Sequence, residues 1–230
     1  MPLTLSAQLF PNLGGQRAGI SALTVLKIGV DPKAEAMGGA TVANPGTAYS
    51  PQWNPAAITD LKDWSFGASN TFWMAGLHNS YFSVAKPIKR VGTIGLNVQS
   101  LTTGQMERRT ETQPDGTGEY FSAYNVAVGL TYARQLTDMF SFGVNAKYVN
   151  ETLAEFVAHT AVVDLGFTYR LKWKDFRFAV MLQSFGPNSE LTARRGQDGT
   201  HNGQVVETDD YPTPTVFSLG FSLVPVDKNK

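Results

Sequence analysis

From Trp64 onward, apolar and polar residues alternate with a period of two, the pattern of strands that show two different faces. Between Tyr120 and Ala133 one face reads Tyr120, Ser122, Tyr124, Val126, Val128, Leu130, Tyr132. The other reads Phe121, Ala123, Asn125, Ala127, Gly129, Thr131, Ala133. The first is large and apolar with Tyr toward both ends; the second is mostly small or polar. Phe140, Phe142, Val144, Ala146 and Tyr148 repeat the split against Ser141, Gly143, Asn145 and Lys147. Val163, Leu165, Phe167 and Tyr169 then stand against Thr160, Asp164, Gly166 and Thr168, and Phe217, Leu219 and Phe221 against Ser218, Gly220 and Ser222. The pattern predicts eight strands, near 64–73, 79–88, 92–103, 119–134, 138–150, 158–172, 175–185 and 214–224.

Alternation alone fits a soluble all-β domain, such as a lipid-carrying barrel, as well as a membrane barrel. Three details favour the membrane. Several segments run about 10 to 15 residues, enough to cross a bilayer at a tilt. The bulky faces carry aromatics at strand ends, as the girdles of membrane barrels do. The connections alternate in length: tight at 87–92, 135–138 and 172–175, longer at 104–118, 151–157 and 186–214. Long loops on one rim and tight turns on the other are the habit of outer-membrane barrels. The fold class expected is therefore an all-β, antiparallel transmembrane β-barrel, with its bulky residues toward lipid and its small polar ones toward an enclosed interior.

Pairing the strands that end near Asn150 and start near Ala158 sets Lys147 about opposite Asp164, both on the small-polar face, with Asn125 reaching the same level. A luminal polar cluster of Asn125, Lys147 and Asp164 is expected, since opposite charges across an antiparallel pair stabilise it.

Composition narrows the function classes. The 230 residues carry no net charge, so no basic face argues for nucleic acid as a partner. Charged residues are 17%, below the ~25% of ordinary soluble domains. Cysteine is absent, which excludes disulfides and thiolate metal sites. No apolar run approaches the ~20 residues of a membrane helix. His78, His159 and His201 are scattered without metal-ligand spacing. Glu151 and Glu155 fall in an expected hairpin loop facing water, and Gly38-Gly39 lacks the spacing of a phosphate-binding loop. Arg194-Arg195 and Asp209-Asp210 lie in the longest loop and read as solvated. No catalytic residue, metal site or cofactor is expected, and the chain does not read as an enzyme.

Before the first strand the chain changes character. Residues 1–16 read as a signal-peptide remnant or flexible end, with Leu3 to Gln8 like the tail of a secretory signal. Residues 17–62 read as an N-terminal plug segment: Asp31-Pro32 opens one or two helical turns that Met37-Gly38-Gly39-Ala40 ends. Two Asn-Pro turns follow, at Asn44-Pro45 and Asn54-Pro55-Ala56. Such small side chains suit a segment tucked into a barrel.

The run Leu26-Lys27-Ile28-Gly29, then Ala36-Met37-Gly38-Gly39-Ala40, then Trp53-Asn54-Pro55-Ala56 resembles the N-terminal signature of PorV/PorQ-type outer-membrane proteins, relatives of the FadL-like barrels. Ser141 to Tyr148, Asp164-Leu165-Gly166 and Leu182 to Pro187 fit the same resemblance. It implies a barrel of about fourteen strands with the N-terminal segment inside, so residues 63–230 are expected to be an incomplete barrel whose closing strands are missing. It also implies residence in the cell outer membrane of a Gram-negative-type envelope and a part in type IX protein secretion. The partners implied are outer-membrane lipid, secreted client proteins bound and shuttled to the surface attachment machinery, and other secretion-system components. The alternative implied is a FadL-like channel for hydrophobic small molecules.

Overall fold

The structure, a computed structural model, describes residues 23–73, 76–154, 156–189, 192–193 and 211–225. The expectations on Leu3–Gln8, Glu155, Arg194-Arg195, His201 and Asp209-Asp210 lie outside the described residues.

An antiparallel meander dominates. Its strands are β1 (Ser65–Phe72), β2 (His78–Ile88), β3 (Gly92–Thr102), β6 (Ala123–Gln135), β7 (Phe140–Leu153), β8 (Phe156–Arg170), β9 (Arg177–Phe185) and β11 (Val216–Ser222), in that spatial order. A small hairpin of β4 (Met106–Glu107) and β5 (Tyr120–Phe121) rises from the connection between β3 and β6, and β10 (Thr192–Ala193) pairs with the start of β8. The segment expected as one strand over 119–134 thus breaks at Ser122: β5 leaves to pair with β4, and β6 begins where Thr103 donates to the Ala123 carbonyl. Among the described residues β1 and β11 are not paired with each other, so the sheet is not closed. No helix among them is long and apolar enough to cross a membrane.

The connections keep the expected parity except at one place. The β7–β8 hairpin closes within 154–155, not over 151–157, because both strands run further than the alternation suggested. Ala154 takes the left-handed conformation (φ 54°) that so tight a turn requires.

The two faces of the sheet are inverted relative to a soluble domain. Leu130 is 59% exposed, Phe66 67% and Phe221 70%, while Asn97, Thr131, Asn145, Lys147 and Asp164 on the opposite face are buried. Val126, Phe142, Leu165 and Phe178 lie on the outward face and stay half-exposed, not gathered at a common centre. Along β6 the outward rings of Tyr124 and Tyr132 stand eight residues apart, about 26 Å along the strand.

What buries the inner face is the segment 23–62. It contains a 3-10 turn (Thr24–Lys27), helix α1 (Pro32–Ala36), helix α2 (Ser50–Trp53) and a second 3-10 turn (Pro55–Asp60). Asp31 caps α1 by accepting from the Lys33 backbone N–H, and Pro32 sits at the first helical position, where its missing N–H costs nothing. Gly67 of β1 lies against Ala48 and Gly220 of β11 against Val42 and Ala43, so opposite ends of the sheet touch neighbouring parts of one segment. The sheet therefore curves around it.

Candidate functional site

A segment this irregular leaves many backbone carbonyls without helix or sheet partners, and buried carbonyls need donors. The inner wall supplies them from side chains. Gln99 Nε2 donates to the Val25 and Ile28 carbonyls at 3.2 and 3.3 Å. Asn79 donates to Gly29, Ser69 to Val30, Ser83 to Ala48, Asn145 to Pro51 and Gln183 to Gln52. The polar inner face is thus a matched set of donors for one folded insert. A small apolar cluster of Leu23, Val25 and Leu26 against Ala127, Val149 and Val162 completes the contact. Val149 and Val162 stand on the face expected to be small and polar; they are where the insert presents its own apolar residues.

Asn54-Pro55-Ala56 has a dedicated seat. Gly143 and Gly166 are a cross-strand pair on β7 and β8. A Cβ on Gly143 would strike the Ala56 backbone nitrogen, and one on Gly166 the Asn54 Oδ1. Asn54 Oδ1 accepts from Ala56 N at 3.0 Å, capping the second 3-10 turn. Its Nδ2 donates to the Val42 carbonyl at 2.8 Å and to Thr168 Oγ1 at 3.1 Å. By contrast Met37, Gly38 and Ala40 are exposed, with Gly38 and Gly39 at φ 63° and 79° where α1 ends. That half of the motif shapes a turn and does not touch the wall's polar centre.

Above this seat lies an ion pair. Lys147 Nζ is 2.7 Å from Asp164 Oδ2, and the two side chains are 2% and 0% exposed. The register differs from expectation: Lys147 pairs with Val162, and Asp164 with Asn145. The partner of each stands two positions from the one expected, which keeps both side chains on the same face and leaves the ion pair diagonal. Asp164 also accepts from Asn145 Nδ2 at 3.1 Å and from the Ser184 backbone N–H at 2.7 Å, where the β8–β9 register is interrupted by a bulge. Lys147 donates to Gln52 Oε1 of the insert at 3.3 Å. Asn97 Nδ2 reaches Asn145 Oδ1 from β3, over the gap that Gly129 leaves on β6.

Asn125 does not join Lys147 and Asp164. It pairs with Glu151, about 13 Å up the strand from the Lys147 level, and donates to Glu151 Oε1 at 3.2 Å. Glu151 itself is part of β7, not a watery loop, and its Oε2 accepts from the Leu23 N–H at 3.1 Å. It anchors the first described residue of the insert.

At the tight-turn rim a second charge network closes the insert's other end. Arg177 pairs with Asp60 and, at 3.2 Å, with Asp175; Arg170 also pairs with Asp175. Partial burial pushes the Asp175 carboxyl up, but hydrogen bonds from Arg170 and Arg177 outweigh it and hold the group below its ordinary value. Nothing in the local sequence pattern marks Asp60 or Arg177. Only the fold brings residues 60 and 177 together.

Two clefts flank the insert: one of about 210 Å³ lined by Ile28, Trp53, Met181 and Val216, and a more polar one of about 260 Å³ lined by Asp60, Ser141, Arg170 and Arg177. His78 packs edge-on against Phe72 and His159 near Tyr148. Among the described residues no three His, Asp or Glu gather as metal ligands.

Residues 13–166 match the family profile described as type IX secretion system protein PorV. The chain belongs to the PorV family. No curated protein matches it. The match spans the insert, the Gly143–Gly166 slot that seats Asn54-Pro55-Ala56, and the Lys147–Asp164 pair. That membership makes the chain a component of type IX secretion.

Proposed function

We propose that this PorV-family chain lies in the outer membrane as a plugged barrel wall, performs no chemistry itself, and presents its long-loop rim to secreted client proteins on their way to the surface attachment machinery. The observation that carries the membrane reading is the inversion of the sheet: large apolar residues face outward while Asn, Thr, Lys and Asp are buried within. In water such a surface is a liability; against hydrocarbon it is the stable arrangement. The insert supports docking over conduction. A passage for hydrophobic molecules needs an apolar path, and here the interior is occupied by hydrogen bonds and an ion pair. A soluble lipid carrier needs its apolar face inside.

Two measurements test the reading. Membrane fractionation is expected to place the chain with the outer membrane; recovery in the soluble fraction overturns residence there. Pull-down with the C-terminal signal domain of an exported client is expected to capture the chain, and to lose it when residues 104–118 are replaced by a short Gly-Ser linker. Undiminished capture without that loop moves the docking surface elsewhere.

A further inference from the structure

We propose that the tight-turn rim is a binding face for anionic phospholipid headgroups; this rests on the membrane reading above. Two outward Trp rings mark the rim, Trp64 at 57% and Trp173 at 67% exposure. Each carries a lysine: Lys86 Nζ stands 4.5 Å from the Trp64 ring centroid and Lys174 Nζ 5.3 Å from that of Trp173. A ring that meets the acyl boundary and an ammonium held over it place positive charge at headgroup height.

The surrounding charge has one sign. The tight connections and their strand ends expose Lys86, Lys89, Arg90, Arg134, Lys172 and Lys174. Arg170, Arg177, Asp60 and Asp175 neutralise one another in the network at the insert's end, and Lys62 and Asp63 cancel side by side. Among the described residues of these connections that leaves Asp138 as the acid facing the cations. The opposite rim is biased the other way: the connection 103–122 holds Glu107, Glu111, Asp115 and Glu119 against Arg108 and Arg109. A chain of zero net charge is therefore polarised along its strands. Charge this close to a bilayer surface draws lipid phosphates, because attraction at headgroup distance is not screened away.

The test uses the full chain reconstituted into bilayers of equal phosphatidylcholine and phosphatidylglycerol, with bromine placed on the acyl chains of one lipid at a time. Tryptophan quenching by brominated phosphatidylglycerol is expected to exceed that by brominated phosphatidylcholine by at least about twofold at low salt. The excess is expected to vanish at high salt and in a variant carrying K86Q, K89Q, R90Q, K172Q and K174Q. Equal quenching by the two lipids in the unaltered chain at low salt overturns the inference and leaves membrane residence standing. Absence of quenching by either lipid overturns the membrane reading itself. The salt titration needs no variant, so misfolding of the substituted chain does not decide the matter.

Discussion

Lys147 of β7 and Asp164 of β8 form an ion pair on the diagonal, with Asn145, the residue directly opposite Asp164, bonded to the same carboxylate. Removing one charge from a buried pair leaves the other uncompensated, at a cost of about 3–5 kcal/mol. Lys147→Met is therefore expected to lower the urea midpoint of the reconstituted chain sharply. Adding Asp164→Asn is expected to restore part of the loss, because a neutral amide needs no cation. A double variant as unstable as Lys147→Met would show that the pair's charge is not what matters. Measuring both single variants and the double closes the cycle.

The Gly143–Gly166 pair is a slot, and filling it should unseat the insert. Gly143→Ala is expected to cost about 1–3 kcal/mol by overpacking and to speed tryptic cleavage at the exposed Lys33. Gly95→Ala is the control: its Cβ would meet ordinary contacts of 3.4 and 3.5 Å. Cleavage equally fast in both variants would remove the slot from the account.

Asn54 caps one turn and donates to two oxygens through its amide. Asn54→Asp keeps the capping acceptor and loses both donors; Asn54→Ala loses everything. Both are expected to destabilise, and Asp more than Ala, because a buried carboxylate beside the Val42 carbonyl gains no partner. The ranking by thermal unfolding in detergent checks this, with the reverse order pointing to the cap as the main contribution.

Asp175 sets an acid limit at the tight-turn rim. Its folded-state pKa lies below the ordinary 3.8, so its contribution is fully present above the unfolded value and is lost as pH falls through the folded one. Asp175→Asn is expected to reduce stability at pH 7 and to flatten the stability profile below about pH 4. Unfolding midpoints taken between pH 2 and pH 7 report it. An unchanged slope would mean that Arg170 and Arg177 do not hold the carboxylate.

Much of this was legible in the chain. Period-two alternation located the eight strands of the meander within a few residues, and it assigned the outward face because Tyr and Phe recur at strand ends. The sequence could not set register. Asp164 stands opposite Asn145 instead of Lys147, two positions along β7, and the length of the Lys147 side chain is what lets the ion pair form across that diagonal. Asn125 looked equivalent to Asn145 by residue type and face; only strand stagger separates them, sending Asn125 to Glu151. Asp60 and Arg177 lie too far apart in sequence for any local pattern to link them.

The carbonyls of the insert are satisfied by Gln99, Asn79, Ser83 and Asn145, which stand on three different strands of the wall. Such a fit has an assembly order. If the wall formed first, those amides and hydroxyls would have to find water and then give it up again. The insert, which precedes the strands along the chain, is better regarded as a mandrel around which they are wound. Withdrawing the mandrel would strip the wall of the contacts that shaped it.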